Sequence, residues 1–381
     1  MSDESKTDTS TTSIDLGRRK ILEAASAGVV AASLGGVVTA AQASTRSAPK
    51  KTLRWGVVGT GGIANRMLPR IKEADGAVPA AVSSRRMETA KEFAEKHGLD
   101  HAFDSWQEML DSDTIDAVYI ATPTSVREEI ATAAARAGKH VLGEKPFASL
   151  DSVQRIVAAC RENGVGFMDG THFPHMERTA RVVKSTETTG RPWSLDSAFQ
   201  FGLGNKNNIR LNPELEPYGA IGDAGWYNMR AAVEYMPDDV ELVAADAYMT
   251  RDEDTGGCNA AAGVLRFNDG STSTWNCGMI SGALVQELRI SGRSGAIWID
   301  DFVTVRRADG NERFRLQAGR NEASEVVIPF TKPAATFMFE DFAHMVNDPA
   351  LFEAGVRATE RTQGWLDAAW QSALANEAKA G

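Results

Sequence analysis

The chain has 381 residues, 43% of them hydrophobic and 24% charged, with a formal net charge of −10. That composition is ordinary for a globular protein, and the length suits two domains. The negative balance argues against a nucleic-acid binder, which needs a basic face for phosphates.

Residues 1–17 are polar and rich in Ser, Thr and Asp. Arg18 and Arg19 then form a twin-arginine pair. An uncharged, weakly apolar stretch from Ala24 to Val38 follows and ends in Ala41-Gln42-Ala43. That layout reads as a bacterial export signal of the twin-arginine kind, cut after Ala43, with the export machinery as partner and a periplasmic destination. The alternatives are a signal that is never cleaved or a helix of the domain, and a cytoplasmic location. The expected division is therefore signal and linker over 1–50, a dinucleotide-binding domain over 51–170, and a substrate and oligomerisation domain over 171–381.

A mostly apolar strand, Leu53 to Val58, runs into Gly59-Thr60-Gly61-Gly62-Ile63-Ala64 and then a helical pattern. Gly59 permits a tight turn, Gly61 lets backbone approach a pyrophosphate, and Ala64 allows close helix–strand packing. The alternation continues with a strand over Val78–Ser83, helices over Met87–Lys96 and Trp106–Leu110, and a strand over Ile115–Ala121. A helix over Glu128–Ala137 and a strand over His140–Leu142 complete it. Strands alternating with helices predict a doubly wound parallel sheet whose ligands sit at the carboxyl ends of the strands. Ala121-Thr122-Pro123 and Glu144-Lys145-Pro146 both fall at such ends. The second strand ends in Ser83-Ser84-Arg85-Arg86, with no acid for the ribose hydroxyls of NAD. Small hydroxyls beside a guanidinium suit a 2′-phosphate, so the expected cofactor is NADP, with NAD as the alternative.

After a helix over Asp151–Glu162 and a short strand over Val165–Met168 comes Asp169-Gly170-Thr171-His172-Phe173-Pro174-His175. A loop running into a helix is read at Gly222-Asp223-Ala224-Gly225-Trp226-Tyr227, where Asp223 and Tyr227 share a face if the helix covers both. Seven β-rich runs follow the pattern of a large, mostly antiparallel sheet: Leu195–Phe201, Glu241–Met249, Ala260–Phe267, Ser271–Cys277, Leu284–Ser291, Ala296–Ile299 and Phe302–Arg306. Residues 336–376 read as helical. Cys258 and Cys277 lie on two arms of one hairpin in an offset register, which disfavours a disulfide. No cysteine has a metal-like spacing with histidine, and Asp252-Glu253-Asp254 reads as a solvated loop, so no metal site is expected.

Four motifs carry a resemblance: Gly59–Ala64, Ala121–Pro123, Gly138–Pro146 and Gly222–Tyr227. With them the chain resembles the glucose–fructose oxidoreductase / inositol dehydrogenase / MocA family from about Lys51 to Ala375. The resemblance implies a Rossmann domain, an open-faced sheet domain for sugar binding and oligomer contacts, and NAD(P)-dependent oxidation of a hydroxyl on a sugar, polyol or related diol. A homo-oligomer is expected. Many members carry a histidine where this chain has Tyr227, a variant similar to the dihydrodiol and NADP-dependent xylose dehydrogenases. Many also carry a histidine where this chain has Arg127.

The expected chemistry is hydride transfer from a carbinol to nicotinamide, with a base to take the hydroxyl proton. Lys145 and Tyr227 would form that pair, the ammonium favouring phenolate. Asp223 would hold substrate or orient Lys145. Gly59, Thr60, Gly61, Gly62, Ile63, Ala64, Ser83, Ser84, Arg85, Ala121, Thr122, Pro123, Glu144 and Lys145 would face the cofactor. His172 and His175 would rim the substrate pocket. Trp226 could stack on a sugar ring, although aromatics in a β-rich half are more often core. An exported enzyme has no pool of free NADP, so a retained cofactor is also expected if export holds. A sugar–sugar oxidoreductase or a redox-assisted glycosidase would then fit, and a non-catalytic nucleotide-binding regulator is the alternative of a different class.

Overall fold

The apolar strands of the first half are buried on both faces, as helix-covered parallel strands must be. In the computed structural model, which describes residues 38–39 and 51–380, β2 (Leu53–Val58), β3 (Ala77–Ser83), β4 (His101–Phe103), β5 (Ala117–Ile120), β6 (His140–Gly143) and β7 (Phe167–Asp169) form one sheet. All pairs are parallel, in the order β4-β3-β2-β5-β6-β7. Helices α1 (Gly62–Glu73), α2 (Met87–His97), α3 (Trp106–Asp111), α4 (Thr124–Arg136) and α5 (Leu150–Glu162) form the crossovers. The twin-arginine pair and the expected cleavage site lie outside the described residues.

The second sheet has nine strands in the order β1-β15-β14-β13-β12-β8-β11-β10-β9. They are β1 (Val38–Thr39), β8 (Pro192–Gly202), β9 (Leu242–Arg251), β10 (Cys258–Phe267), β11 (Thr272–Gly278), β12 (Ile280–Gly292), β13 (Gly295–Ile299), β14 (Glu312–Ala318) and β15 (Ser324–Ile328). The pairs β8–β11 and β1–β15 are parallel and the rest antiparallel. Helices α6 (Glu177–Thr189) and α7 (Trp226–Tyr235) cover its inner face. Cys277 lies opposite Ala261, three residues past Cys258, and all three cysteines are free.

Helix α8 (Ala334–Met345) returns to the first sheet. Its Phe339 and Phe342 rings lie 5.1 and 4.9 Å from Trp55, and Phe339 lies 5.8 Å from Tyr119. Helix α9 (Pro349–Ala380) then packs along α5, α7 and β9, tying the halves together.

Some elements depart from expectation. The run Phe302–Arg306 is not a strand: the Gln286 side-chain amide takes over its backbone groups, accepting from Thr304 N at 2.8 Å and donating to Thr304 O at 3.3 Å. Strands β14 and β15 and helix α6 were not expected. In β14 Arg313 and Arg315 alternate with Phe314 and Leu316, and the charges mask the pattern. Helix α4 begins at Thr124 rather than Glu128 because Glu216, far along the chain, caps it: Thr124 donates its N–H to Glu216 Oε1 at 3.2 Å and its hydroxyl to Oε2 at 2.6 Å.

Below the crevice lies a buried charge network. Asp169, 2% exposed, accepts from Thr171 N at 3.0 Å, Arg230 Nη1 at 2.7 Å and the hydroxyls of Thr171 and Thr359. Arg230 is itself buried, and the guanidinium and hydroxyls hold the Asp169 carboxyl below its usual range despite the burial. Removing one partner of such a pair strands the other charge. Arg230→Met should therefore cost about 3–5 kcal/mol, read as a lowered urea midpoint with an unchanged slope.

Candidate active site

The carboxyl ends of β2, β3, β5 and β6 converge on one crevice. At its phosphate end, Gly59 has φ +101° and donates its N–H to Ser83 O at 2.9 Å. A Cβ there would stand 3.2 Å from the Ala121 carbonyl, whereas a Cβ on Gly61 or Gly62 would meet nothing. The glycines thus leave an open cradle above the N-terminus of α1, where backbone N–H groups and the helix dipole favour phosphate. Asn65 fixes the loop by donating to Thr60 O at 3.1 Å and Gly61 O at 3.0 Å. Ile63 and Ala64 face the sheet; Ala64 is fully buried.

At the ribose end, the Ser83 hydroxyl is buried with no partner among the described residues, as is that of Thr122. Ser84 Oγ lies 3.5 Å from Thr60 Oγ1. Arg85 is exposed. Orphaned hydroxyls, an open glycine cradle and a guanidinium without an acid fit a dinucleotide with a 2′-phosphate.

At the chemical end stands Lys145, on the loop leaving β6. Its Nζ donates to the carbonyl and to Oδ1 of Asp223, both at 2.8 Å. Both side chains are largely buried, at 7% and 17% exposure. Nζ lies 4.9 Å from the centre of the Tyr227 ring. Asp223 sits in a wide turn, Ile221–Gly225, that leads into α7 and carries Tyr227. The structure therefore brings Lys145, Asp223 and Tyr227 together.

The electrostatics overturn one expectation. Lys145 lies over the ring face and does not set the phenol's ionisation. Burial, then Glu144 and Asp223, push the Tyr227 phenol well above its usual range. The phenol is therefore protonated at neutral pH, and the reading that the ammonium favours phenolate is corrected. Asp223 is held well below the usual carboxylate range by Lys145 and Arg210, which together outweigh its burial.

Glu144 turns under the crevice floor. It accepts from the Tyr119 hydroxyl and donates its own N–H to Ile120 O at 3.1 Å. Burial raises its carboxyl, and Lys145 offsets part of that. A Cβ on Gly170 would come within 3.1 Å of it. His172 is pushed down to about 3 by burial, with His175, Lys145 and Arg66 adding to the effect, so it is neutral. Its Nε2 is buried without a partner among the described residues. His175 Nδ1 lies 2.7 Å from Asp341. Trp226 is not a substrate contact: it is fully buried and donates its indole N–H to Thr171 Oγ1 at 2.7 Å.

Two arginines escaped the sequence reading. Arg127, buried, donates to Thr122 O at 2.6 Å, to Thr124 Oγ1 at 3.2 Å and to Pro146 O, stapling the two crevice loops. Arg210, on a short helical turn Ile209–Leu211, donates Nε to Asp223 Oδ2 at 2.7 Å. The sequence marks Arg127 only as a departure from the family pattern. Nothing in the local pattern around Arg210 shows that it reaches Asp223.

Fold and site together define a dinucleotide-dependent oxidoreductase. Residues 53–171 match the model of the oxidoreductase family with an NAD-binding Rossmann fold, and residues 178–298 match the GFO/IDH/MocA C-terminal domain. The chain is 32% identical over 312 residues to scyllo-inositol 2-dehydrogenase (NADP(+)) of Bacillus subtilis, covering 78% of this chain and 90% of that one. It is 28% identical to trans-1,2-dihydrobenzene-1,2-diol dehydrogenase of Sus scrofa, over 65% of this chain and 74% of that one. A 3-ketoreductase from Actinomadura kijaniata, solved with TDP-benzene and NADP, superposes with a TM-score of 0.76 at 25% identity, over 84% of this chain and 98% of that one. The chain belongs to the GFO/IDH/MocA oxidoreductase family.

Gly59→Ala tests the cradle. Its Cβ would meet the Ala121 carbonyl at a φ that L-residues rarely adopt. NADP affinity, followed by fluorescence titration, should fall about tenfold or more, since about 1.4 kcal/mol of strain or displacement suffices for that.

Proposed function

We propose that this chain interconverts a hydroxyl and a carbonyl on a sugar, polyol or related diol, using NADP in preference to NAD. The observation that carries the reading is the Lys145 ammonium, anchored by Asp223 at the edge of the dinucleotide crevice and seated 4.9 Å from the centre of the Tyr227 ring. Bound nicotinamide supplies or takes the hydride. In the reductive direction the protonated Tyr227 phenol donates its proton to the carbonyl oxygen, and Lys145 orients that oxygen and stabilises its developing negative charge. In the oxidative direction the phenol first releases its proton to solvent, and the resulting phenolate, with Lys145 beside it, takes the proton of the substrate hydroxyl. Asp223 holds Lys145 in place. His172, neutral and with its Nε2 buried and unpartnered among the described residues, backs the pocket, with His175 at the rim.

The named NADP enzymes among the relatives support the substrate class and the cofactor, as does the absence of an acid at the end of β3. Lys145→Met and Tyr227→Phe should each reduce turnover by orders of magnitude while NADP stays bound. A panel of inositols, aldoses and dihydrodiols, with absorbance of NADPH as readout, checks this. Full activity in both variants would remove the acid/base assignment, and an unreactive wild type that still binds NADP would favour a regulator.

The Arg18-Arg19 pair and Ala41-Gln42-Ala43 support a second reading, export of the folded enzyme with its cofactor aboard. Such an enzyme reoxidises its cofactor without releasing it, by reducing a second sugar or by oxidising and re-reducing one glycoside. Protein expressed from Ser44, purified and denatured should then release about one NADP(H) per chain, identified by mass. Protein that purifies empty but binds added NADP is a conventional dehydrogenase. The exposed side chains of Val243 and Tyr248, on β9 of the second sheet, support a homo-oligomer.

A further inference from the structure

Asp223 does not serve Lys145 alone. Its Oδ1 accepts from Lys145 Nζ at 2.8 Å and its Oδ2 from Arg210 Nε at 2.7 Å. One carboxylate thus answers two cations through two different oxygens, and each contact fixes the plane in which the other is made. Arg210 is in turn held by the turn it belongs to. Its N–H donates to Asn208 Oδ1 at 3.1 Å, and Asn212 accepts the N–H groups of Glu214 and Leu215 at 2.9 and 3.3 Å. The same segment docks on the cofactor half: Ser125 donates to Leu215 O at 3.3 Å, and Glu216 caps α4 at Thr124. The connection from β8 to α7 therefore touches both the start of α4, at Thr124 and Ser125, and the carboxylate that anchors Lys145.

We propose that Arg210 is a positioning residue for the reaction: it fixes the Asp223 carboxylate, ionised and in the plane that seats Lys145 over Tyr227. The inference rests on the reading of Lys145, Asp223 and Tyr227 given above. Two alternatives are weaker. Were Arg210 a surface ion-pair partner, its contact would be exposed and worth little; its carboxylate partner is only 17% exposed. Were it only a fold staple, its loss would lower stability and leave the turnover of the folded, NADP-loaded enzyme as in wild type.

The charged and titratable groups around Asp223 are Lys145 from the β6 loop, Arg210, Tyr227 on α7 and Cys277 on β11. Burial opposes ionisation, and the two cations overcome it. Without Arg210 one cation remains against the same burial, so the carboxyl titrates at higher pH. Sites that need ionised Asp223 then lose activity earlier as pH falls.

The test is a pH titration of the full chain, with NADP added, by carboxyl ¹³C NMR on aspartate-labelled protein, Asp223 being assigned from Asp223→Asn. Arg210→Gln should raise the Asp223 midpoint by about one pH unit or more, and Arg210→Lys should restore most of it. Turnover of Arg210→Gln on the panel above should fall with its acid limb moved upward, while NADP affinity, which reports folding, stays as in wild type. A midpoint unmoved in Arg210→Gln, or a moved midpoint with turnover and pH profile as in wild type, overturns the proposal. If Lys145→Met is fully active while the midpoint moves, the acid/base reading fails and Arg210 still governs Asp223. If Lys145→Met is dead and the midpoint does not move, only the inference about Arg210 fails.

Discussion

One carboxylate joins the two halves of this protein. Asp223 enters from the turn before α7, and Lys145 reaches it from the end of the parallel sheet. Neither charge would be kept so far from water alone. Desolvation costs several kcal/mol per ion, and only good geometry with further hydrogen bonds offsets it. The Asp223 carbonyl and Arg210 supply those bonds. The pair is better read as a device for placing an ammonium than as a source of stability. The loop carrying Lys145, the wide turn carrying Asp223 and the helix carrying Tyr227 all meet at it.

The floor beneath is built on the same principle with different partners. Asp169 closes β7 and gathers its near neighbour Thr171 together with Arg230 from α7 and Thr359 from α9. Thr171 passes the contact on to the Trp226 indole. One residue further along, Tyr227 is half-buried, with Phe199 edge-on to its ring at 5.2 Å. A phenol so placed, with two carboxyl groups nearby, has every reason to hold its proton.

Much of this was legible in the sequence. The glycine cradle, the strand–helix alternation and the place of Lys145 at a strand end follow from local pattern, because tight turns and strand ends leave short, recognisable signatures; that Asp223 and Tyr227 meet Lys145 follows only from the family resemblance. What was not legible depends on partners far along the chain. Glu216 sets the start of α4 from 92 residues away. Gln286 replaces a strand's partner for Thr304. Trp226 looked available because tryptophan suits sugar rings, yet Thr171, 55 residues earlier, occupies its N–H. The ionisation of Tyr227 was misjudged for a related reason: proximity of Lys145 was foreseen, but not that the ammonium would lie over the ring face while carboxyl groups acted on the phenol.

Helix α8 gives the domain organisation a temporal meaning. Phe339 and Phe342 close over Trp55, and all three are fully buried. The core of the nucleotide-binding half is thus completed by residues synthesised long after Trp55. A nascent chain stalled at residue 171 would hold every strand of the parallel sheet yet leave Trp55 uncovered, with an aromatic face open to water or to a chaperone. Firm nucleotide capture should consequently wait until α8 has left the ribosome, and a fragment carrying only the nucleotide-binding half is a poor stand-in for that half in the intact chain.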